Sequence, residues 1–214
     1  MKFKWFNTAS WCITTGSGVR IITDPYFAAY VPEGPPPPGS QDRPTVGETA
    51  DIVMITHPHY DHSYAFDVKG VFQLYTGGQP AEIKGVKFSS VNAWHDNYGD
   101  GGRGTVSIIG FEADGLRVRH IGDYGQARLT DEQLSQIGRV DILLTPWGNW
   151  SKALIDQLKP KVILPMHHAH ADDYMRSLNF SKLDVSEVEF TAKTLPSERK
   201  CFMLTASRPF PGEE

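Results

Sequence analysis

The chain has 214 residues, of which 40% are hydrophobic and 21% charged, with a formal net charge of −4 and a pI near 6.1. That length suits one large domain or two small ones, and since nothing in the composition separates two halves we expect a single domain over 1–214. The mild acidity leaves no electrostatic footprint for nucleic acid, no apolar stretch approaches the ~20 residues that span a bilayer, and Lys2 and Lys4 are not followed by the apolar core of a secretion signal. A cytoplasmic protein acting on a small molecule is expected, without nucleic-acid or membrane partners and with homo-oligomerisation left open.

Short apolar or alternating runs fill the first two thirds: Phe3 to Phe6, Trp11 to Thr14, Val19 to Thr23, Ile52 to Ile55, Val71 to Tyr75, Val86 to Trp94, Thr105 to Glu112 and Leu116 to Ile121. These read as strands. Gly16-Ser17-Gly18 and Asp114-Gly115 lie between consecutive runs and suit tight antiparallel turns. Val31 to Gly47 contains Pro35-Pro36-Pro37-Pro38, which excludes regular helix or sheet because prolines lack backbone donors. This long excursion is read equally as a solvated insert or as a lid or binding loop.

Beyond residue 128 the pattern turns to helix, strand, helix. Thr130 with Gln133 forms a capping-box signature, with Leu129, Leu134 and Ile137 as the apolar face. A second helix is expected from about Ser151 to Leu158, then a buried strand at Val162-Ile163-Leu164, a short helix near Asp172 to Leu178 and a last strand around Lys200 to Thr205. Cys12 and Cys201 each sit inside a hydrophobic run, far apart, so they are read as buried free thiols. The mixture predicts a layered α/β architecture.

The densest chemistry is Thr56-His57-Pro58-His59-Tyr60-Asp61-His62, three imidazoles and a carboxylate directly after Ile52 to Ile55. Such residues are divalent-metal ligands. Four more apolar runs close on a potential ligand: Asp24, His95, Asp123 and His167. A lone histidine after a strand is usually structural, but their recurrence predicts strand ends that converge. His57 and His59 can reach the same side of a turn, whereas Asp61 and His62 diverge and can serve a second ion.

The order His-x-His-x-Asp-His, a lone His, Gly-Asp and a final His resembles that of the metallo-β-lactamase fold superfamily. Trp5 to Ser10, Ile21 to Pro25, Ala50 to His62, Ala93 to His95, His120 to Asp123, Asp141 to Pro146 and Lys159 to His167 are similar to its L-ascorbate-6-phosphate lactonase-like branch of small metal-dependent hydrolases. The resemblance implies a four-layer αββα sandwich with the site at one edge between two sheets. It also implies two divalent metal ions, zinc first with manganese or iron as alternatives. His57, His59 and His95 would hold the first and Asp61, His62 and His167 the second, with Asp123 bridging. One departure stands out: Asn7-Thr8-Ala9-Ser10 occupies the place where relatives commonly read Gly-His-Ala/Ser, so Thr8 replaces a histidine.

Among the remaining residues, Asp24 is expected to brace the ligand loop. Arg103, Trp147, His168 and His170 are candidates to face substrate, against the plainer readings of solvated loop or core. Trp94, Tyr98 and Trp150 are further candidates for an apolar pocket, and His120 is left unassigned. The expected function is hydrolysis of a small-molecule ester or lactone by a dinuclear metal-bound hydroxide, with Asp61 orienting it and taking part in proton transfer. The alternatives are a phosphodiesterase of the same fold and a non-hydrolytic di-iron redox protein.

Overall fold

The structure is a computed structural model that describes residues 1–27, 45–96, 102–147, 151–167 and 173–210. Most of the proline-rich excursion lies outside the described residues, as do Tyr98, Trp150, His168 and His170. In chain order the strands are β1 (Lys2–Asn7), β2 (Ser10–Thr14), β3 (Arg20–Thr23), β4 (Ile52–Met54), β5 (Gln73–Tyr75), β6 (Ala81–Ile83), β7 (Val86–Trp94), β8 (Thr105–Ala113), β9 (Leu116–His120), β10 (Ile142–Pro146), β11 (Val162–Met166), β12 (Phe180–Lys182), β13 (Glu187–Glu189) and β14 (Lys200–Met203). The helices are α1 (Tyr60–Ser63), α2 (Asp131–Ile137), α3 (Ser151–Leu158) and α4 (Asp173–Ser177).

Two sheets form. The first runs β13-β1-β2-β3-β4-β5 and the second β12-β14-β11-β10-β9-β8-β7-β6. The predicted turns appear as the antiparallel β2–β3 and β8–β9 pairs. Asp114 and Gly115 adopt the left-handed backbone, at φ 53° and 74°, that such a turn requires. The remaining strands of the rim are parallel: β3 beside β4, and β9, β10 and β11 side by side. With β7 antiparallel to β8 and β8 antiparallel to β9, the carboxyl ends of β3, β4, β7, β9 and β11 all emerge at one edge.

Side-chain alternation sorts the core into layers. Phe3, Trp11, Ile13, Ile21, Ile52 and Met54 from the first sheet meet Phe88, Phe111, Val118, Leu144 and Leu164 from the second. The next residue along goes to the other side: Ile163 packs with Ile137, Leu154, Ile155 and Met175 of the helices, and Ile22 and Val53 pack with Tyr26, Val68 and Phe210. Burying a side chain of this size contributes ~1.5–3 kcal/mol. Helices thus cover the second sheet, whereas the outer face of the first is covered by irregular segments with the 3₁₀ turn Ala65–Asp67. This is an α/β sandwich of the expected kind, its fourth layer thin among the described residues.

Helix α2 starts as its sequence requires. Thr130 Oγ1 accepts from Gln133 N at 3.1 Å, and Gln133 Oε1 accepts from Thr130 N at 2.9 Å, which satisfies two end donors reciprocally. Both cysteines are buried, and neither forms a disulfide. Among the described residues no helix is long and apolar enough to cross a membrane.

Candidate metal centre

Each functional side chain is delivered by a strand that ends at the common rim. Asp24 follows β3, Thr56 to His62 follow β4 and continue into α1, His95 follows β7, Asp123 follows β9 and His167 follows β11. Their ligand atoms gather in two adjoining sets, His57 with His59 and His95, and Asp61 with His62, Asp123 and His167. Within each set the atoms lie within 4.8 Å of one another. All seven residues singled out as ligands in the sequence are therefore brought together.

In the first set His57 Nε2 lies 3.0 Å from His59 Nδ1, and the His57 and His95 rings stand 4.9 Å apart. In the second, His62 Nε2 is 3.6 Å from Asp61 Oδ2 and 3.2 Å from Asp123 Oδ1, and His167 Nε2 is 3.7 Å and 3.4 Å from the same two atoms. The other Asp123 oxygen, Oδ2, lies 3.5 Å from His95 Nε2. One carboxylate therefore turns one oxygen toward each set.

Behind the ligands stands Asp24, fully buried. Its Oδ1 accepts from Thr56 N at 2.8 Å, and its Oδ2 accepts from Thr56 Oγ1 at 2.7 Å and from His62 Nδ1 at 2.9 Å. With its one hydroxyl proton given to Asp24, Thr56 Oγ1 accepts from His57 Nδ1 at 3.0 Å. The Nδ1 protons of His57 and His62 are thereby both assigned, so Nε2 of each is the atom that faces the site. The expected bracing by Asp24 thus reaches one histidine of each set, one directly and one through Thr56. The Thr56 link was missed in the sequence, where a hydroxyl directly preceding the first histidine is the only signal.

His120, left unassigned from the sequence, is buried one layer further back. Its Nδ1 accepts from Gly122 N at 3.1 Å and its Nε2 donates to the Ala9 carbonyl at 2.8 Å, while Nδ1 lies 3.9 Å from Asp24 Oδ2. It stands behind Asp24 without a hydrogen bond to it and is in neither ligand set. Thr8, the residue in the place of a histidine, adopts a left-handed φ of 46°. Its carbonyl accepts both the Trp5 indole N–H and the His167 amide, each at 3.0 Å. Its backbone therefore holds the loop that carries His167.

Electrostatics treat the two sets differently. Burial, together with the neighbouring His62, pushes His57 down to about 3, so it is neutral at pH 7. Burial and His95 lower His59 as well. Burial works to raise Asp123, but His62 and His95 outweigh it and hold the carboxyl well below its usual range. Burial likewise opposes a charge on His62, yet Asp123 and Asp24 raise it well above the ordinary imidazole value. A proton and a metal cation would compete for the same Nε2.

The residues fit a metal on a further observation. Asp61 Oδ1, His62 Nε2, His95 Nε2 and Asp123 Oδ1 are buried without a well-formed hydrogen bond, a costly arrangement unless a cation satisfies them. An ion bound at ~2.0–2.1 Å in tetrahedral geometry separates its ligands by roughly 3.3 Å; the close pairs named above, at 3.0 to 3.7 Å, lie near that value, and every pair within a set lies within 4.8 Å.

The proposed substrate contacts are more scattered. Arg103 is exposed, its backbone N–H bound to Asp96 Oδ2 at 2.7 Å. Trp147 stacks on Tyr174 with ring centroids 5.7 Å apart, against the helix-side core. Trp94 is about one-third exposed at the end of β7.

A two-sheet sandwich whose strand ends carry two adjoining histidine and aspartate sets belongs to the metal-binding α/β proteins. The family model described as the Beta-lactamase superfamily domain matches residues 2–167, and the chain belongs to that superfamily. A UPF0173 metal-dependent hydrolase of Thermococcus onnurineus is 25% identical over 181 residues, 70% of this chain and 77% of its own. A UPF0173 protein of Pyrococcus abyssi is 29% identical over 195 residues, 78% and 83% of the two chains. Among solved structures, one from Thermotoga maritima, described as a candidate Zn-dependent hydrolase of the metallo-beta-lactamase superfamily, is 28% identical. Its TM-score is 0.71, with 95% of this chain and 97% of that one covered.

Proposed function

We propose that the protein is a metal-dependent hydrolase of a small-molecule ester or lactone. His57, His59 and His95 would hold one divalent cation and Asp61, His62 and His167 a second, with Asp123 shared between them. The observation that carries this reading is the Asp123 carboxylate, with Oδ2 at 3.5 Å from His95 Nε2 and Oδ1 at 3.2 Å from His62 Nε2. Nitrogen and carboxylate donors suit zinc first, and manganese or iron as alternatives. When bound, two such cations supply Lewis acidity, bringing the pKa of water toward ~7 and polarising the acyl oxygen.

The protein's own groups do the rest. Asp61 turns Oδ2 toward His62 and His167 while its buried Oδ1 has no hydrogen-bond partner. Burial tends to raise this carboxyl, but His167 and His62 outweigh it, so it remains an anion able to orient the attacking water and accept its proton at Oδ1. Asp24 and Thr56 hold His57 and His62 in the one tautomer that points Nε2 inward.

The test combines metal analysis with a substrate panel. The purified protein should carry close to two equivalents of divalent metal and hydrolyse a lactone and an aryl ester faster than an aryl phosphodiester. Asp123→Asn and His59→Ala should lose metal and turnover together. Cleavage of the phosphodiester with both carboxylic substrates untouched would overturn the ester reading in favour of phosphodiesterase chemistry.

A further inference from the structure

Strand β5 ends the first sheet, and among the described residues no strand pairs with its outer edge. We infer that a second copy of the chain adds its own β5 there, antiparallel and about a two-fold axis through Leu74, so that one continuous sheet crosses both protomers.

The backbone of β5 already faces that way. It runs parallel to β4 with Leu74 beside Val53. Gln73 N donates to the Asp51 carbonyl at 2.9 Å, and the Tyr75 carbonyl accepts from Ile55 N at 3.1 Å, so Gln73 and Tyr75 turn their polar groups toward β4. Strand alternation then turns the N–H and C=O of Leu74 to the open edge. In an antiparallel pair, two opposed residues whose groups both face the partner exchange two hydrogen bonds. Leu74 placed opposite itself meets this condition, and Phe72 falls opposite Thr76 of the second copy. An edge that satisfies itself about a two-fold is the isologous contact of cyclic dimers.

The other sheet ends are protected. The terminal strands are β13 and β5 in the first sheet and β12 and β6 in the second. Exposed Glu187 and Glu189 stand on β13, Lys182 on β12 and Glu82 on β6. Charge on an edge discourages strand addition, because pairing would strip its water. Strand β5 carries none, and the whole run Gly70 to Pro80 is free of Lys, Arg, Asp, Glu and His. It exposes apolar surface instead, Val71 at 96% and Leu74 at 54%. Leu74 shares the outer face of the sheet with Phe72, which packs with Ala65 against the core on that side, and the next residue, Phe66, is 88% exposed. These side chains extend the contact, since a three-residue ladder alone falls well short of the ~1,000 Å² of a specific interface. An uncharged edge meets no repulsion from its own copy, whereas a strongly charged partner would find no counter-charge there.

The test is sedimentation velocity on the full chain over a concentration series, with Leu74→Lys, Leu74→Glu and their equimolar mixture. The wild-type mass should rise from the 23.8 kDa of one chain toward twice that value, and each variant alone should stay at the single-chain mass. Because residue 74 meets itself, mixing the two variants should restore the dimer through a Lys–Glu pair. Far-UV circular dichroism and metal content at wild-type levels separate lost association from lost fold. If a Leu74 variant does not fold, Val71→Asp takes its place with the same expected loss. In the wild-type dimer the Leu74 amide should also exchange with solvent about tenfold or more slowly than in the monomer. A wild-type protein that stays monomeric throughout the series, a dimer that none of these variants weakens, or a mixture that stays monomeric overturns the two-fold β5 pairing.

Discussion

Asp24 accepts the Nδ1 proton of His62 at 2.9 Å across 38 residues of sequence, and through Thr56 the same carboxylate reaches His57. One buried acid thus sets the tautomer of a histidine in each ligand set. Asp24→Asn keeps the shape but offers an amide in place of an acceptor-only group, so the two histidines lose their common reference. Such an outer partner typically contributes 10–100-fold in metal affinity, and a loss of that size at both sites is the expected outcome by competition with a chromophoric chelator. Unchanged affinity at both sites would remove Asp24 from this role.

Gly122 sits between His120 and Asp123 with φ 52°, and a Cβ there would fall 2.4 Å from Thr56 Oγ1 and 2.6 Å from a Val106 methyl. Gly122→Ala combines left-handed strain with overpacking and should cost about 2–5 kcal/mol in urea unfolding. Because the group it strikes is Thr56, metal affinity should fall as well. An alanine variant as stable as the wild type would show that the close approach is not a constraint.

Arg119 is buried, and among the described residues no carboxylate lies within ion-pair distance. Its Nη1 donates to Ser89 Oγ at 2.9 Å and its Nη2 to the Ile137 carbonyl at 2.6 Å, at the carboxyl end of α2 where a cation is favoured. Its role is structural. Arg119→Met should lower stability by about 1–3 kcal/mol by stranding that carbonyl, while metal content stays at the wild-type level. Loss of metal in a folded Arg119→Met protein would contradict this separation.

Glu48 ties three cations from distant parts of the chain: Lys4 at 3.3 Å, Arg20 at 2.9 Å and Arg208 at 3.4 Å. Partial burial works to raise its carboxyl, but Lys4 and Arg20 overcome this and lower it below the ordinary 4.5. The folded value lies below the unfolded one, so the stabilisation is present above pH 4.5 and is lost as pH falls through the folded value. Partly exposed, the cluster contributes below about 1 kcal/mol. Thermal melts should show Glu48→Gln less stable than wild type at pH 7, with the gap closing as pH falls below 4.5 through the lower folded value.

Much of this protein was already legible in its sequence, and the reason is locality. The capping box at Thr130, the helix Ser151–Leu158, the strand Val86–Trp94 and the two hairpin turns depend on residues a few positions apart, and periodicity records such neighbours directly. The seven ligand residues were legible for a similar reason: clustered imidazoles and carboxylates after apolar runs have few other uses. The strands Ala81–Ile83, Phe180–Lys182 and Glu187–Glu189 were not foreseen. They are three residues long, too short to show a period, and dependent on a partner strand for their hydrogen bonds. Only the tertiary structure decided that Asp123 turns one oxygen to each set, that Asp24 and Thr56 orient the histidines, and that His120 stands behind Asp24. These relations join residues from different strands and loops, and no pattern along the chain records which side chains the packing of two sheets will bring within hydrogen-bonding distance.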